Sequence, residues 1–212
     1  PDDMIDEFGA DTLRLYEMFI GDFEKSVPWS YNGIKGCRRF LDRVWKLQNM
    51  LEDGEEYSKD LEISMHKTIK KVSEDFESLK FNTAIAAMMA LVNQFTAKGR
   101  VNRAEFATLL ILLNPVAPHA TEEMWEANGF EGMLNRQSWP AWDEEKTIED
   151  LVEIVVQING KIKEKIMVAS GLDRDAVAES ALADEKVKAL TEGLKVVKVI
   201  GVPDKLVNIV VK

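Results

Sequence analysis

Hydrophobic side chains recur every third or fourth residue up to about residue 150, and every second residue after it. The first spacing places apolar groups on one face of a helix and the second on one face of a strand. One chain with both patterns must build two unlike parts. The expected fold is therefore mainly α: an antiparallel helical bundle over residues 1–149, connector included, followed by a small α+β domain over 150–212. At 212 residues there is enough chain for two cores, although the second part is near the lower size limit for one.

In the bundle, Asp2 and Asp3 open a short helix that Gly9 stops. Asp11 is placed to cap the next helix, and a loop with Pro28 and Gly33 follows. Residues 34–51 are the clearest amphipathic helix, with Ile34, Cys37, Leu41, Val44 and Leu47 facing inward. Leu61, Met65, Ile69, Val72, Phe76 and Leu79 form the next core stripe, with His66 beside it as a surface or boundary side chain. The helix from residue 81 is expected to be capped by Asn82 or Thr83 and ended by Gly99. The stretch "NPVAPHATEEMW" breaks the last helix pair at a corner. Pro115 suits a last turn and Pro118 a first turn, where no backbone N–H is needed. Glu122 and Glu123 then lie near a positive helix start, with Met124 and Trp125 turned inward.

Beyond the Trp/Pro-rich connector "SWPAWDEEKTIEDL", two strands flank Asn159–Gly160. That dipeptide alone suggests a two-residue turn. A three-residue loop, Ile158–Asn159–Gly160, gives the cleaner faces. It pairs Gln157 with Lys161, Val156 with Ile162 and Glu153 with Lys165. Ile154, Val156, Ile162 and Ile166 are then buried and Lys161, Lys163 and Lys165 open, with Glu164 misplaced on the apolar side. Two short helices started by Asp173 and Asp184, and two strands round Pro203–Asp204, complete the domain.

Catalytic chemistry is missing. Cys37 is the only cysteine and reads as a buried hydrophobe, and two histidines without cysteines nearby give no metal spacing. His119 sits at the corner, as a structural residue rather than a ligand. There is no glycine-rich phosphate loop or nucleophile elbow. Glu122–Glu123 and Glu144–Glu145 are sequence neighbours that do not converge on one point. No catalytic, cofactor-binding or metal residue is therefore assigned.

The formal charge of −10 argues against a general polyanion binder, yet all of it resides in residues 1–149. Residues 150–212 hold 10 acidic and 10 basic side chains. A nucleic acid would have to be met by local patches. The candidates are Arg38, Arg39, Arg43 and Lys46 on the amphipathic helix, where Lys35, Arg39, Arg43 and Lys46 make a ridge. On the small domain they are Lys161, Lys163, Lys165, Lys198 and Lys205. Such rows can neutralise phosphates without reading sequence. A solvated helix face and protection of a sheet edge are the ordinary alternatives.

"FATLLILLNPVAPHATEEMWE" resembles the segment of class I aminoacyl-tRNA synthetases in which an apolar helix ends at a proline pair and a Pro-His step opens the next. "PDDMIDEFGADTLRLYEMFIGDFEKSVPWSYNGIKGCRRFLDRVWKL" resembles the stretch after the KMSKS-type loop of bacterial leucyl-tRNA synthetases. "VVQINGKIKEKIMV", "ALADEKV" and "KVVKVIGVPDKLVNIVV" are similar to their small C-terminal domain. The resemblance covers nearly the whole chain. It implies a tRNA-holding piece of an ATP- and magnesium-dependent leucine–tRNA ligase, whose catalytic and editing domains lie elsewhere in the same polypeptide. It also implies contact with the elbow and stem side of tRNA(Leu), no membrane, a monomeric state and a cytoplasmic location. Neither a HIGH-type nor a KMSKS-type signature occurs, so the chain itself is expected to carry out neither adenylation nor transfer. A valyl or isoleucyl relative, or a stand-alone helical protein-interaction module, is the alternative.

Overall fold

Two separate hydrophobic cores answer the two periodicities. The computed structural model describes residues 1–21, 26–148 and 151–212, in two units, Pro1–Thr147 and Ile148–Lys212. The start of the loop read over residues 22–33, and the domain cut expected between 149 and 150, fall outside the described residues.

The first unit contains α1 (Asp2–Phe8), α2 (Ala10–Phe19), α3 (Tyr31–Lys46), α4 (Glu62–Glu77), α5 (Phe81–Lys98), α6 (Arg103–Leu113) and α7 (Pro118–Ala127). Two-residue strands β1 (Leu51–Glu52) and β2 (Val101–Asn102) pair in parallel. The stripe expected on α3 is inside: Ile34, Cys37, Val44 and Leu47 are fully buried and Leu41 nearly so. Burial pushes the Cys37 thiol up to about 11, which keeps it protonated and unreactive. Helix α6 buries Phe106, Leu109, Leu110, Leu112 and Leu113 completely, so its apolar character all round makes it the central helix. Its start is a capping box: Asn102 Oδ1 accepts from the Glu105 N–H, and Glu105 Oε2 accepts from the Asn102 N–H at 3.0 Å.

Several local expectations give way to tertiary contacts. Leu79 is not core: it lies past the end of α4 at φ 56° with 63% of its surface exposed. Neither Asn82 nor Thr83 is the N-cap of α5, a position held by Lys80; the Thr83 hydroxyl instead donates to Asp75 Oδ2 at 2.6 Å. Gly99 does end α5, in the left-handed conformation at φ 67°. Glu122 serves a loop rather than its own helix start, accepting from the N–H groups of Leu134 and Asn135 at 2.9 and 2.8 Å. Pro118 opens α7 as its first residue, and Met124 and Trp125 are buried as expected.

The Trp/Pro-rich connector is a strap laid along α4. The Trp139 indole N–H donates to Ser73 Oγ at 2.8 Å, and Glu144 and Lys146 pair with Lys70 and Glu62. Between these points the Asp143 N–H donates to His66 Nδ1 at 3.1 Å. His66, expected at the surface or its boundary, is therefore buried, because the strap covers it. Burial, reinforced by the Lys146 ammonium, lowers its pKa from the ordinary 6.5. The folded chain thus resists a proton that the unfolded chain accepts. This contribution to stability is intact above about pH 6.5 and is lost as pH falls through the lowered value. Urea unfolding at pH 7.5 and 5.5 should show that loss, and His66→Gln should reduce it. An identical pH difference in both proteins would remove His66 as its source.

The second unit is a four-stranded sheet in the order β4-β3-β6-β5, from β3 (Leu151–Ile158), β4 (Lys161–Ala169), β5 (Val196–Val202) and β6 (Leu206–Val211). The central β3–β6 pair is parallel and the outer pairs antiparallel. Helices α8 (Arg174–Ala183) and α9 (Glu185–Thr191) supply Val177, Ala181 and Val187 to a core completed by Ile154, Val156, Ile166, Val168, Val207 and Ile209. Asp173 and Asp184 cap the two helices as expected, each accepting two backbone N–H groups.

The hairpin register differs from the expected one. Ile158 pairs with Lys161, so the turn is the two-residue Asn159–Gly160, both at positive φ (50° and 79°). A bulge then leaves Lys163 unpaired between Ile162, opposite Gln157, and Glu164, opposite Val156. Consequently Ile162 is 66% exposed instead of buried. Glu164 is half-buried and reaches Lys186 of α9 at 3.3 Å.

Candidate nucleic-acid interface

The basic ridge belongs to α3, which the Ser30 side chain caps by accepting from the Gly33 N–H at 3.2 Å. The four cations selected there fall on two neighbouring stripes. Arg38 is tied to the protein, with Nε on Asp42 Oδ1 at 2.9 Å and Nη1 on the Phe8 carbonyl at 3.1 Å. Arg43 donates to Asn93 Oδ1 on α5. Arg39 and Lys46 are exposed and make no ion pair or side-chain hydrogen bond among the described residues. Those two are available to phosphate without giving up a protein partner.

On the small unit the bulge disperses the expected lysine row. Lys165 is on the open side of the sheet, opposite Val155, while Lys161 is opposite the buried Ile158 on the helix-covered side. Lys163 is the bulged residue, and a bulged lysine at a sheet edge also deters strand-to-strand aggregation. Lys165 is paired with Glu153 Oε1 at 2.7 Å, whose carboxylate raises its pKa above the usual lysine value. Lys198 stands opposite Val210 on the open side of the other edge strand, and Lys205 occupies the turn before β6. Lys161, Lys163, Lys198 and Lys205 are exposed and have no side-chain partner among the described residues.

The unit is only mildly polarised in charge. Asp173, Asp175, Glu179, Asp184 and Glu185 are on or cap the two helices against Arg174, Lys186 and Lys188, and the strands carry Lys161, Lys163, Lys165 and Lys198 against Glu153 and Glu164. The open side also exposes Leu151, Met167, Ile200 and Val202. No Phe, Trp or Tyr occurs in residues 148–212, so this surface cannot stack bases on aromatic rings.

Two residues that charge patterning did not select join the ends of the first unit. Asp11, a buried residue inside α2, does not cap its own helix. Its Oδ2 accepts from the Ala120 N–H of α7 at 2.6 Å, and its Oδ1 lies 2.8 Å from His119 Nδ1. Arg14 donates to the Pro115 carbonyl at 3.0 Å. The segment "GADTLR" thus clamps both sides of the corner in "NPVAPHATEEMW", and His119 is a corner residue.

Among the described residues no group of three or more His, Cys, Asp or Glu could hold a metal ion, and no helix is long and apolar enough to cross a membrane.

A family model described as "Anticodon-binding domain of tRNA ligase" matches residues 59–179, from just before α4 into α8. The chain is 61% identical to the leucine–tRNA ligase of Alkaliphilus oremlandii (strain OhILAs) over all 212 residues, and covers 26% of that relative's length. It is 28% identical, at a TM-score of 0.74, to a protein in the crystal structure of the ternary complex of Agrobacterium radiobacter K84 agnB2 LeuRS, tRNA and LeuAMS. That match covers all of this chain and 29% of the other. The family match spans more than half of the chain, including the proline corner, and both relatives match it from end to end across the two units. The chain therefore belongs to the anticodon-binding domain family of tRNA ligases.

Proposed function

We propose that this chain is the tRNA-holding portion of a leucine–tRNA ligase, positioning tRNA(Leu) for ATP-dependent leucylation by catalytic residues outside it. The observation that carries the proposal is the set of exposed, unpartnered cations on both units: Arg39 and Lys46 on α3, and Lys161, Lys163, Lys198 and Lys205 on the small unit. The 61% identity to a leucine–tRNA ligase supplies the amino acid. Arg38, Arg43 and Lys165 remain candidates, with their protein partners competing for them.

In this proposal the small unit meets the tRNA elbow and the α3 ridge lies along the stem side. The protein acts as a monomer in the cytoplasm. Binding by unpaired surface cations releases counterions, so affinity should fall steeply as salt rises. Replacing Arg39 and Lys46 with glutamine should weaken binding to a leucine tRNA and reduce the salt slope by about one for each phosphate that is no longer neutralised. The same result is expected from Lys161→Gln with Lys163→Gln. Nuclease protection should appear at the elbow. Protection confined to the anticodon loop, or an unchanged slope in both double variants, would refute the placement.

A further inference from the structure

We propose that a cleft between the start of α2, α3 and the start of α7, with Phe8 of α1 at its edge, receives one unpaired nucleobase of the bound RNA, stacked on Trp45. The cleft has a volume of about 490 Å³, and its lining includes Phe8, Leu41, Trp45, Arg38 and His119. This inference rests on the RNA-holding role proposed above and assigns that surface a ligand class of its own.

Trp45 is 46% exposed. The indole N–H groups of Trp125, Trp139 and Trp142 all donate to protein acceptors, and Trp29 packs edge-on against Tyr16 at 4.8 Å. Trp45 has neither kind of partner among the described residues. A large flat apolar group left in this way offers a stacking surface.

The polar groups of the cleft suit the edge of a base. Arg38 is held by Asp42 and the Phe8 carbonyl through Nε and Nη1, which leaves Nη2 without a protein acceptor. Asp11 as a carboxylate can only accept, so His119 Nδ1 carries the proton in that pair. Nε2 of the same ring has no protein partner among the described residues. Arg38 Nη2 and Trp45 Nε1 are donors, and a nucleobase edge presents acceptors to them. The two carboxylates nearby are already engaged: Asp42 by Arg38, Asp11 by His119 and the start of α7.

Charge complementarity selects RNA as the occupant. Arg38, Asp42 and Trp45 follow one stripe of α3, and Arg39, Arg43 and Lys46 follow the adjacent one. A strand whose phosphates sit on the second stripe can turn a base into the cleft beside it. Stacking releases no counterions, which separates the two contributions experimentally.

The test compares Trp45→Ala, Trp45→Phe and the Arg39→Gln/Lys46→Gln double variant in binding to a leucine tRNA over a range of salt. Trp45→Ala should weaken binding about five- to a hundred-fold, the range base-on-aromatic stacking supplies, with an unchanged salt slope. Trp45→Phe should retain most of the affinity. The ridge variant should lower the slope. Unchanged affinity for Trp45→Ala with a weakened ridge variant overturns the stacking site and leaves RNA binding in place. If neither alters binding, the RNA-holding role itself fails. Circular dichroism of each variant confirms that the fold is kept, since an indole this exposed is not part of the core.

Discussion

Glu105→Ala is expected to destabilise the helical unit by about 2–6 kcal/mol, because two backbone N–H groups lose their acceptor at about 1–3 kcal/mol each. Glu105 is fully buried. One carboxylate oxygen accepts from the Asn102 N–H at 3.0 Å, the other from the Ser58 N–H at 2.9 Å. The carboxylate therefore both starts the central helix α6 and fixes the loop that enters α4. Water cannot replace it without opening that loop. For a unit of this size the loss corresponds to a fall in Tm of about 5–20 °C. Glu105→Gln keeps one oxygen acceptor and should lose about half as much. Thermal melting followed by tryptophan fluorescence reads this unit alone, since all five tryptophans precede residue 148. An alanine variant melting within a degree or two of the parent would show that Glu105 does not hold the loop.

The complementary result is expected for Gly201→Ala in the sheet unit. A Cβ at Gly201 would lie 2.4 Å from the Arg174 carbonyl oxygen and 2.7 Å from Val177 Cγ1. The first atom is backbone at the start of α8, so it cannot rotate away. Either α8 lifts from β5 or β5 shifts in the sheet. Such overpacking costs about 1–3 kcal/mol, a large share of the total for a small domain. Far-UV circular dichroism should show an early transition, about 5–20 °C below the parent's, while tryptophan fluorescence keeps its melting point. Loss of amide protection confined to α8 and β5 would localise it. A single unchanged transition by both probes would mean the helix is not seated on Gly201.

The α3 stripe shows what was legible without coordinates. Ile34, Cys37, Leu41, Val44 and Leu47 are buried where their spacing puts them, since periodicity is a property of one element and needs no knowledge of neighbours. Asp173 and Asp184 were legible for the same reason, as a cap bonds to N–H groups two or three residues away. The corner at Pro118 follows from proline's own geometry.

The two-residue turn was legible in Asn159–Gly160 itself, but the bulge at Lys163 was not, and without it a three-residue loop gives the cleaner faces. A strand some fifty residues later also fixes the turn. The Asn159 N–H donates to the Ile209 carbonyl, its side chain bonds both backbone groups of Val211, and the Gly160 N–H donates to Asn208 Oδ1. Those bonds hold both turn residues at positive φ, and the bulge at Lys163 absorbs the mismatch that a three-residue loop would otherwise remove. Leu79, at the end of α4, fails differently: it continues the heptad-like spacing but falls past the helix, where the chain reverses.

The sequence by itself determined the two-part architecture, the core stripe of α3, the caps at Asp173 and Asp184, and which residue types could meet phosphate. Tertiary structure decided the partners of His66, Asp11 and Glu105, each engaged by a segment distant in sequence. It also decided which cations are free. Arg38, Arg43 and Lys165 are held by neighbours, while Arg39, Lys46 and Lys161 are not. Charge is carried by the residue, but its availability depends on what the fold brings within about 3 Å of it.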